Sequence, residues 1–157
     1  MANSLTNKGQ AVMLKLALPD PDGIGTQSGF VMQVAHIRLM STASSGDASV
    51  LKTGSGFVEV TPGVGGYNPI EITTAYRYGA WSVPTLFGGN YQIVLQPGAP
   101  PADPYWTCTG APGINGIKGA YLTDDAGAPL CWWERATAVD LAPGDTLTLD
   151  DLTIRLT

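Results

Sequence analysis

Charge is what this sequence has least of. Charged residues fill 13 % of its 157 positions, roughly half the usual share. The eight basic residues stand singly from Lys8 to Arg155, and the formal net charge is −5. A nucleic-acid binder needs clustered positive charge to displace counterions from phosphate, so the sequence speaks against that function. It speaks equally against attachment to an anionic membrane surface. Long apolar runs are missing too. The longest, Ala11 to Leu18, is interrupted by Lys15 and is too short to span a bilayer, and no cleavable signal precedes a small-residue site. The expectation is a soluble chain made in the cytoplasm, with neither nucleic acid nor membrane as partner.

Metal-ligating residues are equally scarce. There is one histidine, His36, and the two cysteines, Cys108 and Cys131, lie far apart without metal-ligand spacing. The common zinc sites are therefore excluded. In a reducing cytoplasm the two thiols are expected to be free and buried.

What the chain does have is glycine, 20 residues, and proline, 12, with 44 % hydrophobic content. Low charge with abundant turn formers describes a compact β protein, whereas a disordered chain carries more charge and fewer aromatics. The length predicts a single domain over 1–157 with a sizeable core. Residues 1–29 are a candidate N-terminal arm. Asn3-Ser4 offers a helix N-cap for Leu5 to Leu18, ended by Pro19, but Val12, Leu14, Leu16 and Leu18 also alternate with period two. Helix and strand both remain open there, and Pro19-Asp-Pro-Asp-Gly23 is a turn cluster.

Strand patterning dominates the rest. In Phe30 to Met40, Val31, Ala35, Ile37 and Leu39 take one face, and Met32, Val34, His36 and Arg38 the other. Ser41 to Asp47 reads as a loop, Gly56 to Thr61 as a short strand, and Pro62-Gly-Val-Gly-Gly66 as a turn. Alternation resumes through Ile70, Ile72, Thr74, Tyr76 and Tyr78. Gly88-Gly89-Asn90 turns into Tyr91 to Gln96, and the prolines of Pro97 to Pro104 make an irregular connection. Trp106 to Thr109, Ile117 to Thr123, Leu130 to Glu134 and Leu147 to Leu156 read as strands. In the last one the phase slips at Asp150-Asp151, the mark of a β-bulge or of a bend between sheets. About eight short strands with regular turns predict an all-β fold, a β-sandwich or jelly roll with a short N-terminal helical or extended arm.

Catalytic patterns are thin. His36 has no nucleophile or orienting carboxylate nearby in sequence, so it reads as a satisfied structural histidine. Asp124-Asp125 and Asp150-Asp151 are adjacent pairs whose side chains diverge, which suits turns better than the facing carboxyls of a glycosidase. Asp20-Pro-Asp-Gly23 lacks the remaining ligands of a calcium loop. Gly54-Ser-Gly56 and Gly63 to Gly66 match neither phosphate-binding fingerprint. The prediction is a protein that is not an enzyme, with no catalytic residues, no cofactor and no metal.

The aromatics pose a better question. Eleven, from Tyr67 to Trp133, fall at the middle of the chain or beyond it. They fill a core, cover a subunit interface, or stack on sugar rings, and core plus interface is the favoured reading. Trp132 and Trp133 are neighbours on one strand, so they face opposite sides. One belongs to the core, and the other covers a second layer, a loop or a partner.

The stretch Ile117-Lys-Gly-Ala-Tyr-Leu-Thr-Asp-Asp-Ala-Gly127, then Pro129-Leu-Cys-Trp-Trp133, then Leu141-Ala-Pro-Gly-Asp-Thr-Leu-Thr-Leu149 resembles a group of tailed-bacteriophage structural proteins. Members of that group pass a strand through a glycine turn into a second strand with an aromatic pair. A loop containing Gly-Asp-Thr then leads into the terminal strand. The opening Met1-Ala-Asn-Ser-Leu-Thr-Asn7 and the element Gly65-Gly66-Tyr67 are similar to the same group, and Tyr76 to Pro104 departs from it. In Gly-Asp-Thr itself, glycine tolerates unusual φ and aspartate is expected to bond the backbone two residues on.

The resemblance implies a virion structural protein, placed on the capsid surface as a decoration (cement) protein. Its implied partners are the major capsid protein and further copies of itself in a homotrimer. The alternatives are a minor tail or fibre-associated protein and a carbohydrate-binding module led by Trp81, Tyr105 and Trp106, with a glycan as partner. The candidate contact residues are Leu5, Pro19, Pro21, Trp81, Tyr105 and Trp106.

Overall fold

A computed structural model describes residues 2–6, 36–71, 85–87, 90–94, 104–124, 126–149 and 153–155. The described strands form antiparallel sheets, and helix is almost absent among the described residues. The fold is all-β. Among the described residues no helix is long and apolar enough to cross a membrane.

The largest sheet has five strands: β1 (Ala2–Leu5), β2 (His36–Ser41), β3 (Ile70–Glu71), β7 (Ile114–Thr123) and β8 (Pro129–Leu141), in the order β1-β8-β7-β2-β3. A three-stranded sheet is ordered β10-β5-β4, from β4 (Thr85–Phe87), β5 (Asn90–Val94) and β10 (Thr153–Arg155). The strands β6 (Tyr105–Thr107) and β9 (Thr146–Thr148) make a two-stranded ribbon.

The hairpin β7–β8 is the spine. Its turn is closed by Asp124, whose Oδ1 accepts the Ala128 N–H at 2.7 Å and whose carbonyl accepts the Gly127 N–H at 3.0 Å. That is the turn role predicted for Asp124. Gly119 sits where a Cβ would come within 1.9 Å of the Trp133 carbonyl oxygen. Only glycine lets the two strands approach so closely there.

Alternation splits the side chains of this sheet. Ile37 and Leu39 of β2, Ala120 and Leu122 of β7, and Cys131 and Trp133 of β8 point into the main core, with Tyr67, Trp106, Ile114 and Leu147. Met40, Tyr121 and Trp132 point the opposite way. There they meet Leu51 of a five-residue helix, α1 (Ala48–Lys52), and the ring of Phe57. Trp132 thus covers a second layer under a loop while Trp133 is core, and both are buried.

Helix α1 falls where no helix is predicted from the sequence. Its signal is short: Asp47 caps it by accepting from the Ser49 N–H at 2.8 Å. The hydrogen bonds from Ser49 hold the Asp47 carboxyl below its usual range.

Other expectations need correction. Asn3 and Ser4 do not cap a helix; they lie in β1, paired with Trp133 and Trp132. Of the two readings of the arm, the extended one holds for Ala2–Leu5, and residues 7–35 lie outside the described set. The strand expected over Gly56 to Thr61 reduces to one bridge, Met40 to Glu59, flanked by Ser41 N–H to Val58 O at 2.8 Å and Val60 N–H to Leu39 O at 3.0 Å. The terminal stretch is not one strand. Thr146–Thr148 pairs with β6 and Thr153–Arg155 with β5, so the phase slip marks a change of sheet, the second of its two readings. Asp145 does not bond two residues on; its Oδ2 accepts the Ala142 N–H behind it at 2.8 Å. Gly144, at φ 97°, supplies the left-handed turn. Both cysteines are free and buried. The residues Asp125, Asp150 and Asp151 lie outside the described set.

Candidate contact surface

Strand β6 pairs with β9 through Tyr105 to Thr148, Trp106 to Leu147 and Thr107 to Thr146. Period-two alternation sends Trp106 and Leu147 into the core and leaves Tyr105, Thr107, Thr146 and Thr148 outside. Tyr105 is 56 % exposed, more than any other large apolar side chain described. The hydroxyls of Thr107 and Thr146 lie 3.0 Å apart across the ribbon.

This face is held from behind. The Trp106 indole N–H donates to the Asn68 carbonyl at 2.8 Å. At one end the Leu149 N–H donates to the Pro104 carbonyl at 2.8 Å; at the other, the Cys108 N–H donates to the Asp145 carbonyl at 2.9 Å and the Gly144 N–H to the Cys108 carbonyl at 2.8 Å. The exposed phenol, three threonine methyls and their hydroxyls make an uncharged platform whose backbone is already ordered. Such a surface suits a protein contact: an aromatic anchor contributes area at little entropic cost, and the hydroxyls adapt their bonding.

Elsewhere the polar side chains serve the architecture. The chain leaves the edge of β2 at Val60, passes through a 3-10 turn (Val64–Gly66) and returns as β3 at Ile70. In the gap the Tyr67 hydroxyl accepts the Leu39 N–H at 2.9 Å and donates to Glu59 Oε1 at 2.8 Å. It stands where a strand carbonyl would stand. Glu59 Oε2 in turn holds Arg38 at 2.6 Å. The glycines before Tyr67 let the turn press inward: at Gly66, φ 83°, a Cβ would sit 2.0 Å from Thr109 Oγ1.

These contacts set the titration of the buried groups. Burial, then the charge of Glu59, push the Tyr121 phenol up to about 12, against a smaller lowering by Arg38. Burial pushes the Tyr67 phenol and the Cys131 thiol well above their ordinary values. None is poised as a nucleophile or base near neutrality. Among the described residues the buried His36 Nδ1 has no hydrogen-bond partner. Among the described residues no group of three or more His, Cys, Asp or Glu is placed to hold a metal ion.

Of the predicted contact residues, the structure leaves Tyr105 exposed and places Leu5 in β1 opposite Cys131. Trp106 is a correction: it is 5 % exposed and belongs to the core, because it alternates with Tyr105 on a strand whose inner face must be apolar. It is available neither to a partner nor to a sugar ring, and Trp132 and Trp133 are buried as well. Pro19, Pro21 and Trp81 lie outside the described residues. Sequence reasoning missed Thr107, Thr146 and Thr148. Their signal was Tyr-Trp-Thr and Thr-Leu-Thr, two alternating triplets that acquire a common outer face only once paired.

The described residues define an all-β, antiparallel fold with an uncharged outer face on the β6–β9 ribbon. No protein-family model, no curated protein and no solved structure matches the chain.

Proposed function

We propose that this chain is a non-enzymatic structural protein of a tailed-phage particle, built as a jelly-roll-like sandwich and made in the host cytoplasm. In this reading it sits on the capsid surface as a decoration protein, a homotrimer bound to the major capsid protein, and cements the head against internal pressure. The observation that carries the reading is the β6–β9 face, where Tyr105 and three threonines are presented on a ribbon locked from behind. Contact through a preordered, uncharged patch is weak per copy, and symmetry multiplies it into avidity. The resemblance of Ile117 to Leu149 to phage structural proteins supports the same reading. That stretch supplies the β7–β8 spine and the β9 half of the platform.

The test is rebinding of purified protein to capsids stripped of decoration, with binding stoichiometry and heat-induced DNA release as readouts. Saturable binding at high copy number with a raised release temperature is the expected result. Binding at a few copies only, or to tails and not heads, would transfer the protein to the tail and discard cementing.

A further inference from the structure

Asn115-Gly116 is the only Asn-Gly in the chain. The β7–β8 register passes from Ile114 opposite Leu141 to Ile117 opposite Val139. Two residues, Asn115 and Gly116, therefore face the single residue Asp140. That is a β-bulge. Asn115 is exposed, and Gly116 has φ 67°. A side chain at 116 would meet Thr42 Oγ1 at 2.9 Å. The Gly116 N–H donates to Asp140 Oδ1 at 2.6 Å, and the Gly116 carbonyl accepts the Thr42 N–H at 2.8 Å.

An asparagine followed by glycine is open to attack by its own backbone, because no Cβ shields the next nitrogen. The Gly116 nitrogen gives up its proton and forms a bond to Asn115 Cγ. The Cγ–Nδ2 bond then breaks, and ammonia leaves with the proton. The resulting succinimide takes up one solvent water at either carbonyl, which opens it to aspartate or to isoaspartate. No oxidant or reductant is required. The bulge exposes Asn115 to this chemistry, and Asp140 opposes it twice. Its hydrogen bond occupies the N–H that must be given up, and its negative charge disfavours the amide anion that must form.

We propose that Asn115-Gly116 is a self-modification site, converting Asn115 to aspartate and isoaspartate through a succinimide, and that Asp140 restrains it. The product places a new carboxylate beside Asp140. As isoaspartate it also adds a methylene to the backbone of the bulge that anchors Thr42, the first residue of the loop leading to α1. The site acts as a slow, irreversible timer on the attachment of that loop. It is independent of the role proposed for the whole protein.

The experiment incubates the purified protein at mildly alkaline pH and follows residue 115 by peptide mass spectrometry that separates asparagine, aspartate and isoaspartate. Asp140→Ala is expected to convert about tenfold faster than the parent, the rate equivalent of one charge-assisted hydrogen bond. Asp140→Asn, which keeps an acceptor and loses the charge, is expected between the two. Asn115→Gln, whose ring closure is larger, stays unmodified. Circular dichroism establishes which variants are folded, and where Asp140→Ala is not, the Asp140→Asn rate decides. A folded Asp140 variant converting no faster than the parent overturns the restraint. An Asn115 that stays intact even in the urea-unfolded chain overturns the site.

Discussion

The two faces of the five-stranded sheet are built from neighbouring residues of the same strands, yet they do different work. On one side Trp133, Leu122, Ile37 and Cys131 join a large core that also takes in the β6–β9 ribbon and Tyr67. On the other, Trp132, Tyr121 and Met40 form a smaller cluster with Phe57 and Leu51 among the described residues. Phe57 stacks at 5.0 Å from Tyr121 and stands edge-on to Trp132 at 5.8 Å. Ion pairs flank that smaller cluster, Arg38 with Glu59 and Lys118 with Glu134 at 2.8 Å. The comparison teaches that apolar residues on both sides of a strand need not mean two equal cores. One face stabilises the fold as a whole, and the other secures a local cover.

The largest expected effect breaks both faces at once. Gly119→Ala drives a Cβ into the Trp133 carbonyl, so the β7–β8 spine must separate. We expect a loss of about 4 kcal/mol or more, read by urea unfolding. Truncating the tryptophans separates the faces. Trp133→Ala should cost about 4 kcal/mol and Trp132→Ala about 3, since the small cover can collapse into the space and the large core cannot. Hydrogen exchange should then show residues 42–60 opening selectively in the second variant. Equal exchange across the sheet in both would erase the distinction.

Tyr67→Phe leaves the Leu39 N–H buried without its acceptor and removes the donor to Glu59 Oε1, while Arg38 still holds Oε2, for about 2 kcal/mol in the same assay. Alkaline titration sharpens the contrast further. A raised folded pKa gives stability that is complete below the unfolded value and is lost as pH rises above it. Cys131, on the deep face, should make stability fall above about pH 8.5. Tyr121, on the covered face, adds its loss above about pH 10, each by at most about 1.4 kcal/mol per pH unit. Cys131→Ala should abolish the first segment of the curve and Tyr121→Phe should diminish the second. The smallest effect is the most telling for function. Tyr105→Ala should change stability by no more than about 0.5 kcal/mol, while weakening capsid rebinding.

Much of this was legible residue by residue. The turn aspartate at 124, the opposite facing of Trp132 and Trp133, the separation of Ile37 and Leu39 from His36 and Arg38 in β2 and the phase slip near 150 all follow from local alternation and turn chemistry. The contact surface was legible only in its tyrosine. Tyr105 and Trp106 looked alike as candidates, and nothing local says which of two alternating neighbours faces inward. The short helix at Ala48–Lys52 escaped because it rests on one cap and one buried leucine.

The all-β character and the places of most described strands and turns are written locally, because period-two patterning and glycine–aspartate turns act between near neighbours. The order β1-β8-β7-β2-β3, the transfer of the last described strand to a second sheet, and the Tyr67 hydroxyl filling a strand position beside Leu39 emerge only when the chain is folded. Those outcomes depend on backbone groups far apart in the chain finding partners, and hydrophobic alternation is blind to which distant strand supplies them.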